Sequence, residues 1–491
     1  VDLIMALDAG TSGVRAVAFD AQAEVYESAY EELEQHFPRP GWVEHDPREI
    51  AARARSVLSS VATKCHQNGH HIKALGLTNQ RETTVAFDRD SGATRHRALV
   101  WQDRRTTPQC EQLTRAGHLA TVREKTGLVL DPYFSATKMR WLLDHGALDD
   151  FSMPSLCTID TYLLWHLTGG NAEAAFVTEP SNASRTLLFN ISSKSWDHEL
   201  AELFQVPLAM LPRVQASASH FGEVASSFVP ELVGVPITGV LGDQQAALFG
   251  QACFREGMVK ATYGTGAFVL ANAGTSVPSP LNGLLSTIAW DLGDHGTTTY
   301  AFEGSAFVAG AAIQWLRDEL HFVKHADELG PLANSVSDSG GVTFVPAFTG
   351  LGSPFWNPDA HGVMMGLSVG TSRAHIARAL VESLAFQVRA MTDAFVNGGV
   401  NLLELRADGG ASSMNLLMEL QATNSQVPVR RSTSLEATAR GAACIAGLGV
   451  GLWSSLEDLE NIWTSDYGVE PGDPTSVDVG YSAWLRSVER A

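Results

Sequence analysis

Residues 3–20, LIMALDAGTSGVRAVAFD, and residues 257–274, GMVKATYGTGAFVLANAG, are written to one plan. In each, an apolar run too short for a helix reaches a small, polar, glycine-bearing tip and a second apolar run follows, which predicts a β-hairpin. The tips, Asp8 to Gly13 and Gly264-Thr265-Gly266, offer hydroxyls, backbone N–H groups and glycines free to take positive φ, a combination suited to phosphate oxygens. Alone, such a hairpin would be an ordinary turn whose Asp8 bonds its own loop. A pair half a chain apart predicts two like-built domains facing each other, with a nucleotide gripped between the tips.

A chain of 491 residues supports this, since it exceeds what one core usually holds. The expected division is 1–251 and 252–491, with no linker-like run between them and hence a short hinge. A formal net charge of −20 argues against a nucleic-acid surface, so a bound polyphosphate must be held by local N–H groups, a few Lys or Arg, and Mg²⁺. The five cysteines are odd in number, scattered and without a CxxC pair, which fits reduced thiols in a cytoplasmic protein. No signal segment is read at the start. The longest weakly polar run, 441–453, is too short to span a bilayer, so no membrane insertion is expected. The histidines lack ligand spacing, and no structural metal is expected.

Between the hairpins the pattern predicts a helix from Asp46-Pro47 to about Cys65, with the aspartate as cap. A strand over Ile72 to Leu77 follows, then six polar residues, Thr78 to Thr83. A polar run beyond a strand's carboxyl end is a candidate substrate site in an open α/β sheet, though a solvated loop reads equally well. Residues 237–250, ITGVLGDQQAALFG, predict strand, tight turn and helix, with Asp243 beside the helix N-terminus. In the second half, Glu303-Gly304 to Gly310 reads as a glycine-rich approach to a helix. Residues 405–420 read as strand, Gly409-Gly410 and helix, the glycines admitting a flat ligand. The small-residue stretch 441–449 predicts a closely packed helix.

Two longer patterns make a family resemblance specific. One is Tyr133-Phe134-Ser135 followed by Lys138, Trp141, Asp144 and His145; the other runs from Gly362 through Leu367 to His375, Ile376, Ala379 and Glu382. Together with the hairpins they resemble the FGGY carbohydrate kinases, which include glycerol kinases, gluconokinases and xylulokinases. The stretches TNQRETT (78–84), SNASRTLLFNI (181–191), GDQQAALFGQ (242–251) and YGTGAF (263–268) are most similar to glycerol kinases. The resemblance implies an α/β fold of two ribonuclease H-like domains, as in actin, Hsp70 and the sugar kinases, with ATP in the cleft. It implies transfer of phosphate from ATP to glycerol, and a homodimer or homotetramer. The first tip, Ala9 to Val14, looks more like xylulokinases, and Glu179-Pro180 replaces an Asp-Tyr pair.

The resemblance also implies roles. Arg81, Glu82 and Tyr133 would hydrogen-bond the polyol, Trp101 and Phe268 would press on its carbons from opposite domains, and Asp243 would take the proton, with Gln244 alongside. Thr11, Ser12, Gly13, Thr265 and Gly266 would hold phosphates, Arg15 would add charge, and Asp8 would hold Mg²⁺ through water. Gly310, Gln314, Ala411 and Asn415 would line the adenosine pocket.

Overall fold

The computed structural model describes residues 1–491. Both expected hairpins form: Asp2–Ala9 pairs antiparallel with Gly13–Phe19, and Met258–Tyr263 with Ala267–Asn272. Each seeds a sheet of the same design. In the first, Val25–Glu32 extends the hairpin on one side, while His71–Asn79 and then Pro236–Gly242 add as parallel strands on the other. In the second, Thr298–Ala306 takes the place of the former strand, and Glu404–Asp408 and Val429–Ser432 take those of the parallel pair. The internal repeat therefore extends well beyond the hairpins to the strand order of two whole sheets. Additional strands widen them to six and seven strands.

The strand sequences explain their placement. In the opening strand Leu3, Met5 and Leu7 point into one core with the helix Pro47–Gln67, while Ile4 and Ala6 point into another. A strand apolar on both faces is buried on both. The helix Pro47–Gln67 begins as expected, with Asp46 accepting from the Arg48 N–H.

The second of these cores joins the halves. It packs Ile4, Ala6, Val17 and Leu241 of the first sheet, Met258 and Leu270 of the second hairpin, and residues of the helices Asp243–Gly250 and Ala437–Gly449. The chain passes from one sheet to the other through residues 251–257, and Ala437–Gly449 returns to lie on the first sheet. Glycines let this helix approach so closely. A Cβ at Gly441 would stand 1.8 Å from the Ala246 carbonyl oxygen, one at Gly250 2.0 Å from that of Ala437, and one at Gly76 2.0 Å from that of Ala442. The close-packed helix read from 441–449 is thus in place.

Several local expectations need correction. Gly10, Gly13, Gly264 and Gly266 are not among the positive-φ glycines. At Gly13 the constraint is space: a Cβ would lie 2.4 Å from the Tyr30 ring, whose hydroxyl donates to the Ser12 carbonyl. Gly409 does take φ +87°, but a Cβ there would meet the backbone of Tyr263, so its close approach is to its own chain. Pro236–Gly242 runs into Asp243–Gly250 without an intervening turn. Glu303 and Gly304 lie inside the buried strand Thr298–Ala306, and the helix starts only at Gly310.

Alanine normally stabilises a helix interior relative to glycine by ~1 kcal/mol. At Gly441 the sign is expected to reverse: Gly441→Ala should destabilise by about 1–3 kcal/mol, the usual range for overpacking. Thermal melting checks this, and a melting temperature at or above wild type would contradict the packing account.

Candidate active site

Three parallel strands end side by side and set out the site. Asp8, Thr78 and Leu241 share a register row, as do Ala9, Asn79 and Gly242. Immediately beyond them come Arg81 and Glu82 on the central strand's extension and Asp243 on the helix start. The polar run 78–83 is no solvated loop, because every residue in it is buried. It turns tightly at Arg81–Thr83, with the Thr83 N–H donating to the Arg81 carbonyl at 2.7 Å. This leaves Glu82 at φ +61°, a left-handed conformation unusual for glutamate. Ser135 and Thr84 hydroxyls hold it there by donating to its carbonyl at 2.9 and 3.1 Å.

A buried ion network surrounds these residues. Arg81 donates to both carboxylate oxygens of Glu303 at 2.6 and 2.9 Å, to Gln245 Oε1 at 3.1 Å and to the Tyr133 hydroxyl at 3.2 Å. Its Nε stands 3.2 Å from Asp243 Oδ1. Arg185 donates to Glu82 at 2.7 Å and to Glu303 at 3.1 Å, with its guanidinium over the Phe134 ring. Burial alone would raise the Glu303 carboxyl, but Arg185 and Arg81 together reverse that and hold it at about 2. At Asp243 burial prevails over the pull of Arg81, and its carboxyl lies above the ordinary range. Its side chain keeps 27% of its exposure, so a small molecule can reach it.

Asp8 is the second perturbed acid. Burial, and then the neighbouring charge of Asp243, push it up to about 7, and its carboxylate accepts no hydrogen bond from the chain. These two carboxylates, at the ends of the strands that flank His71–Asn79, repel each other, which is a standing electrostatic strain. Nowhere do three or more His, Cys, Asp or Glu side chains gather as a ready-made metal cage.

The chain matches the N-terminal domain of the FGGY family of carbohydrate kinases over residues 3–250 and the C-terminal domain over residues 259–450. It belongs to the FGGY carbohydrate kinases. It is 49% identical over 497 residues to a glycerol kinase of Delftia acidovorans, covering 99% of this chain and 98% of that one. A glycerol kinase of Dechloromonas aromatica is 47% identical over 500 residues, at 99% and 97% coverage. Among solved structures, a Plasmodium falciparum glycerol kinase with ADP superposes with a TM-score of 0.93 at 33% identity, covering 100% of this chain and 98% of that one. A gluconate kinase from Lactobacillus acidophilus shares the fold, with a TM-score of 0.88 at 19% identity and coverage of 100% and 97%.

Within this FGGY kinase the expected residues fall into two groups, with Arg15 apart. Arg81, Glu82, Tyr133 and Asp243 meet in the network just described. Trp101 adjoins them, its ring edge-on to Tyr133 at 5.6 Å and its indole N–H donating to the Thr11 hydroxyl at 2.9 Å, which ties the first tip to the site. Phe268 lies on the second sheet beside Thr262 and Ser305 and is not paired with the Trp101 ring.

The second group is the tips and their seats. Ser12 and Thr265 are exposed, and the Gly264 and Thr265 carbonyls accept N–H groups from Ala309, Gly310 and Ala311, seating the second tip on the helix Gly310–Asp318. Gln314 is exposed one turn further on. Ala411 is buried and Asn415 exposed beyond the end of Glu404–Asp408, where the Asn415 side-chain oxygen accepts from Arg431 at 3.1 Å.

Arg15 stands apart from both groups, its guanidinium paired with Glu436 at the start of the helix Ala437–Gly449. Glu179, the departure noted in sequence, caps the helix Pro180–Ala183 and accepts from the Ser181 hydroxyl, whose oxygen in turn accepts from the Gly242 N–H at 2.8 Å, one residue before Asp243.

Sequence reading assigned no role to Glu303, Arg185, Gln245 or Lys260. All four lie within stretches that the sequence pattern marks out, but their partners are fixed only by tertiary structure.

Asp8 carries a testable consequence. An acid whose folded pKa is raised destabilises the folded state increasingly from pH 4 to 7, and fully above that. Asp8→Asn, without ligand and with chelator present, should therefore melt higher than wild type at pH 8, by a margin that shrinks towards pH 5. Equal melting of the two at pH 8 would contradict this.

Proposed function

We propose that this FGGY kinase transfers the γ-phosphoryl group of ATP to a terminal hydroxyl of glycerol, giving sn-glycerol 3-phosphate. The observation that carries the reading is the arrangement of Asp243, Arg81 and Tyr133. An accessible carboxylate stands 3.2 Å from one end of a guanidinium, and a phenol hydrogen-bonds the other end at 3.2 Å. A small polyol, with hydroxyls and little else, can be fixed only by hydrogen bonds at set angles, and this arrangement provides donors and acceptors on rigid strand ends.

In this reading Arg81, Glu82 and Tyr133 fix the hydroxyls, with Trp101 and Phe268 against the carbons. Asp243 accepts the hydroxyl proton as the oxygen attacks the γ-phosphorus and ADP departs, and Gln244 lies alongside. Its raised pKa suits a base that must hold a proton transiently. Thr11, Ser12, Gly13, Thr265 and Gly266 bind phosphates by N–H groups and hydroxyls, while Gly310, Gln314, Ala411 and Asn415 line the adenosine side. Arg15 acts here through its pair with Glu436, holding the first hairpin to the Ala437–Gly449 helix.

A single carboxylate with free acceptor oxygens suits Mg²⁺, which keeps most of its waters and takes one or two carboxylates plus substrate phosphates. Asp8 fits that description, and a bound ion would relieve its repulsion with Asp243 while neutralising phosphate charge. The division into a glycerol-and-phosphate half, 1–251, and an adenosine half, 252–491, belongs to the same reading. Five buried, unpaired cysteines support a reducing, cytoplasmic setting. No helix is long and apolar enough to cross a membrane.

The first tip favours a second reading, a kinase of five-carbon ketoses. A substrate panel decides between them: kcat/KM should be higher for glycerol than for xylulose, ribulose, gluconate or erythritol, and a five-carbon substrate ahead by about tenfold, ~1.4 kcal/mol, would overturn the glycerol reading. Asp243→Asn should lower kcat by roughly 10²–10⁴ while calorimetric glycerol affinity stays within a few-fold. Near-normal turnover would make Asp243 merely a helix-start residue, where asparagine serves as well.

A further inference from the structure

Lys260 is fully buried, yet it makes no ion pair. Its ammonium donates to Gln244 Oε1 at 2.6 Å and stands 3.5 Å from the Phe268 carbonyl. Burial of a charge without a partner is costly, and it pushes the ammonium below the ordinary lysine range in spite of Asp408, Glu303 and Asp243 nearby. Such an arrangement calls for a reason beyond packing.

The register supplies one. Lys260 and Glu303 sit on either side of Leu270 in one row of the second sheet, facing the first domain. Glu303 reaches across to Arg81, whose Nε contacts Asp243 at 3.2 Å. Lys260 reaches across to the side chain of Gln244, whose backbone N–H donates to Asp243 Oδ1 at 2.7 Å. Asp243 is thus bracketed by two arms from the same row, one through Arg81 and one through Gln244.

We propose that Lys260 is a positioning residue for phosphoryl transfer: brought up by the second domain, its ammonium fixes Gln244 and with it the first turn of Asp243–Gly250, so that Asp243 is aimed only when the two domains are together. This rests on the glycerol kinase reading with Asp243 as base. It gives domain closure a chemical readout at the base itself, distinct from enclosing the nucleotide.

The test uses the full chain with glycerol and MgATP, comparing wild type, Lys260→Met, Lys260→Arg, Gln244→Met and the Lys260→Met/Gln244→Met double variant. Lys260→Met should lower kcat about 10- to 100-fold, the scale of a misplaced catalytic group, with KM for glycerol and ATP within about threefold. Lys260→Arg should recover part of that loss. The double variant should be no slower than the slower single variant, because both break the same contact.

A Lys260→Met kcat above half of wild type, an arginine variant no better than methionine, or losses that multiply in the double variant would overturn the proposal. So would a rise in the ATP KM at unchanged kcat, which would put the ammonium on the nucleotide. If Lys260→Met does not fold, Lys260→Gln replaces it with the same readouts. Wild type that fails to phosphorylate glycerol would refute the functional reading instead, and the two failures are therefore distinct.

Discussion

A carboxylate from one domain holds two arginines from the other, and the active site depends on that contact. Glu303, fully enclosed on the second sheet, accepts from Arg81 at 2.6 and 2.9 Å and from Arg185 at 3.1 Å. Arg81 in turn reaches Asp243 and Tyr133, and Arg185 reaches Glu82. An ion network of this kind is weak evidence for stability, since desolvation offsets much of the Coulombic gain. Its value is geometric. Arginine's planar fork, fixed on both edges, leaves little rotational freedom in the groups it joins.

The rest of the architecture supplies the rigidity this needs. Parallel strand ends place Asp8, Arg81 and Asp243 in adjacent positions, and glycine-lined contacts clamp the helices Asp243–Gly250 and Ala437–Gly449 to the first sheet. The same features carry strain. Glu82 sits in a left-handed conformation, Asp8 and Asp243 repel one another, and Lys260 is buried without an ion pair. Strain of this kind clusters at functional sites, and here it gathers at one place in an otherwise well-packed molecule.

Much of this was legible in the sequence, for identifiable reasons. The hairpins showed because apolar runs and glycine tips are local signals, and their repetition pointed to two like-built domains. The close-packed helix over 441–449 showed in its small residues. Arg81 took its role from the family resemblance carried by TNQRETT, whereas Asp243 showed as a carboxylate between a strand and a helix start. Glu303 did not: it lies in a strand whose neighbours, Ala267–Asn272 and Leu285–Asp291, are set by pairing, and the nearby glycines mimicked the approach to a helix. For the same reason the pairing of Arg15 with Glu436, more than 400 residues away, was not legible. On its own pattern the polar run 78–83 could not be told from a solvated loop, because its burial and its anchor, the Ser135 hydroxyl on the Glu82 carbonyl, come from tertiary structure.

The central claim is that Glu303 presets Arg81 for the polyol across the domain interface. Calorimetric titration of glycerol into Glu303→Gln, which keeps the shape and removes the charge, tests it most directly. Truncating one partner of a buried charged contact typically costs 2–5 kcal/mol, so a folded variant should bind glycerol about 30-fold or more weakly than wild type. Wild-type affinity in the folded variant would show that Arg81 needs no partner from the second domain, and would contradict the account.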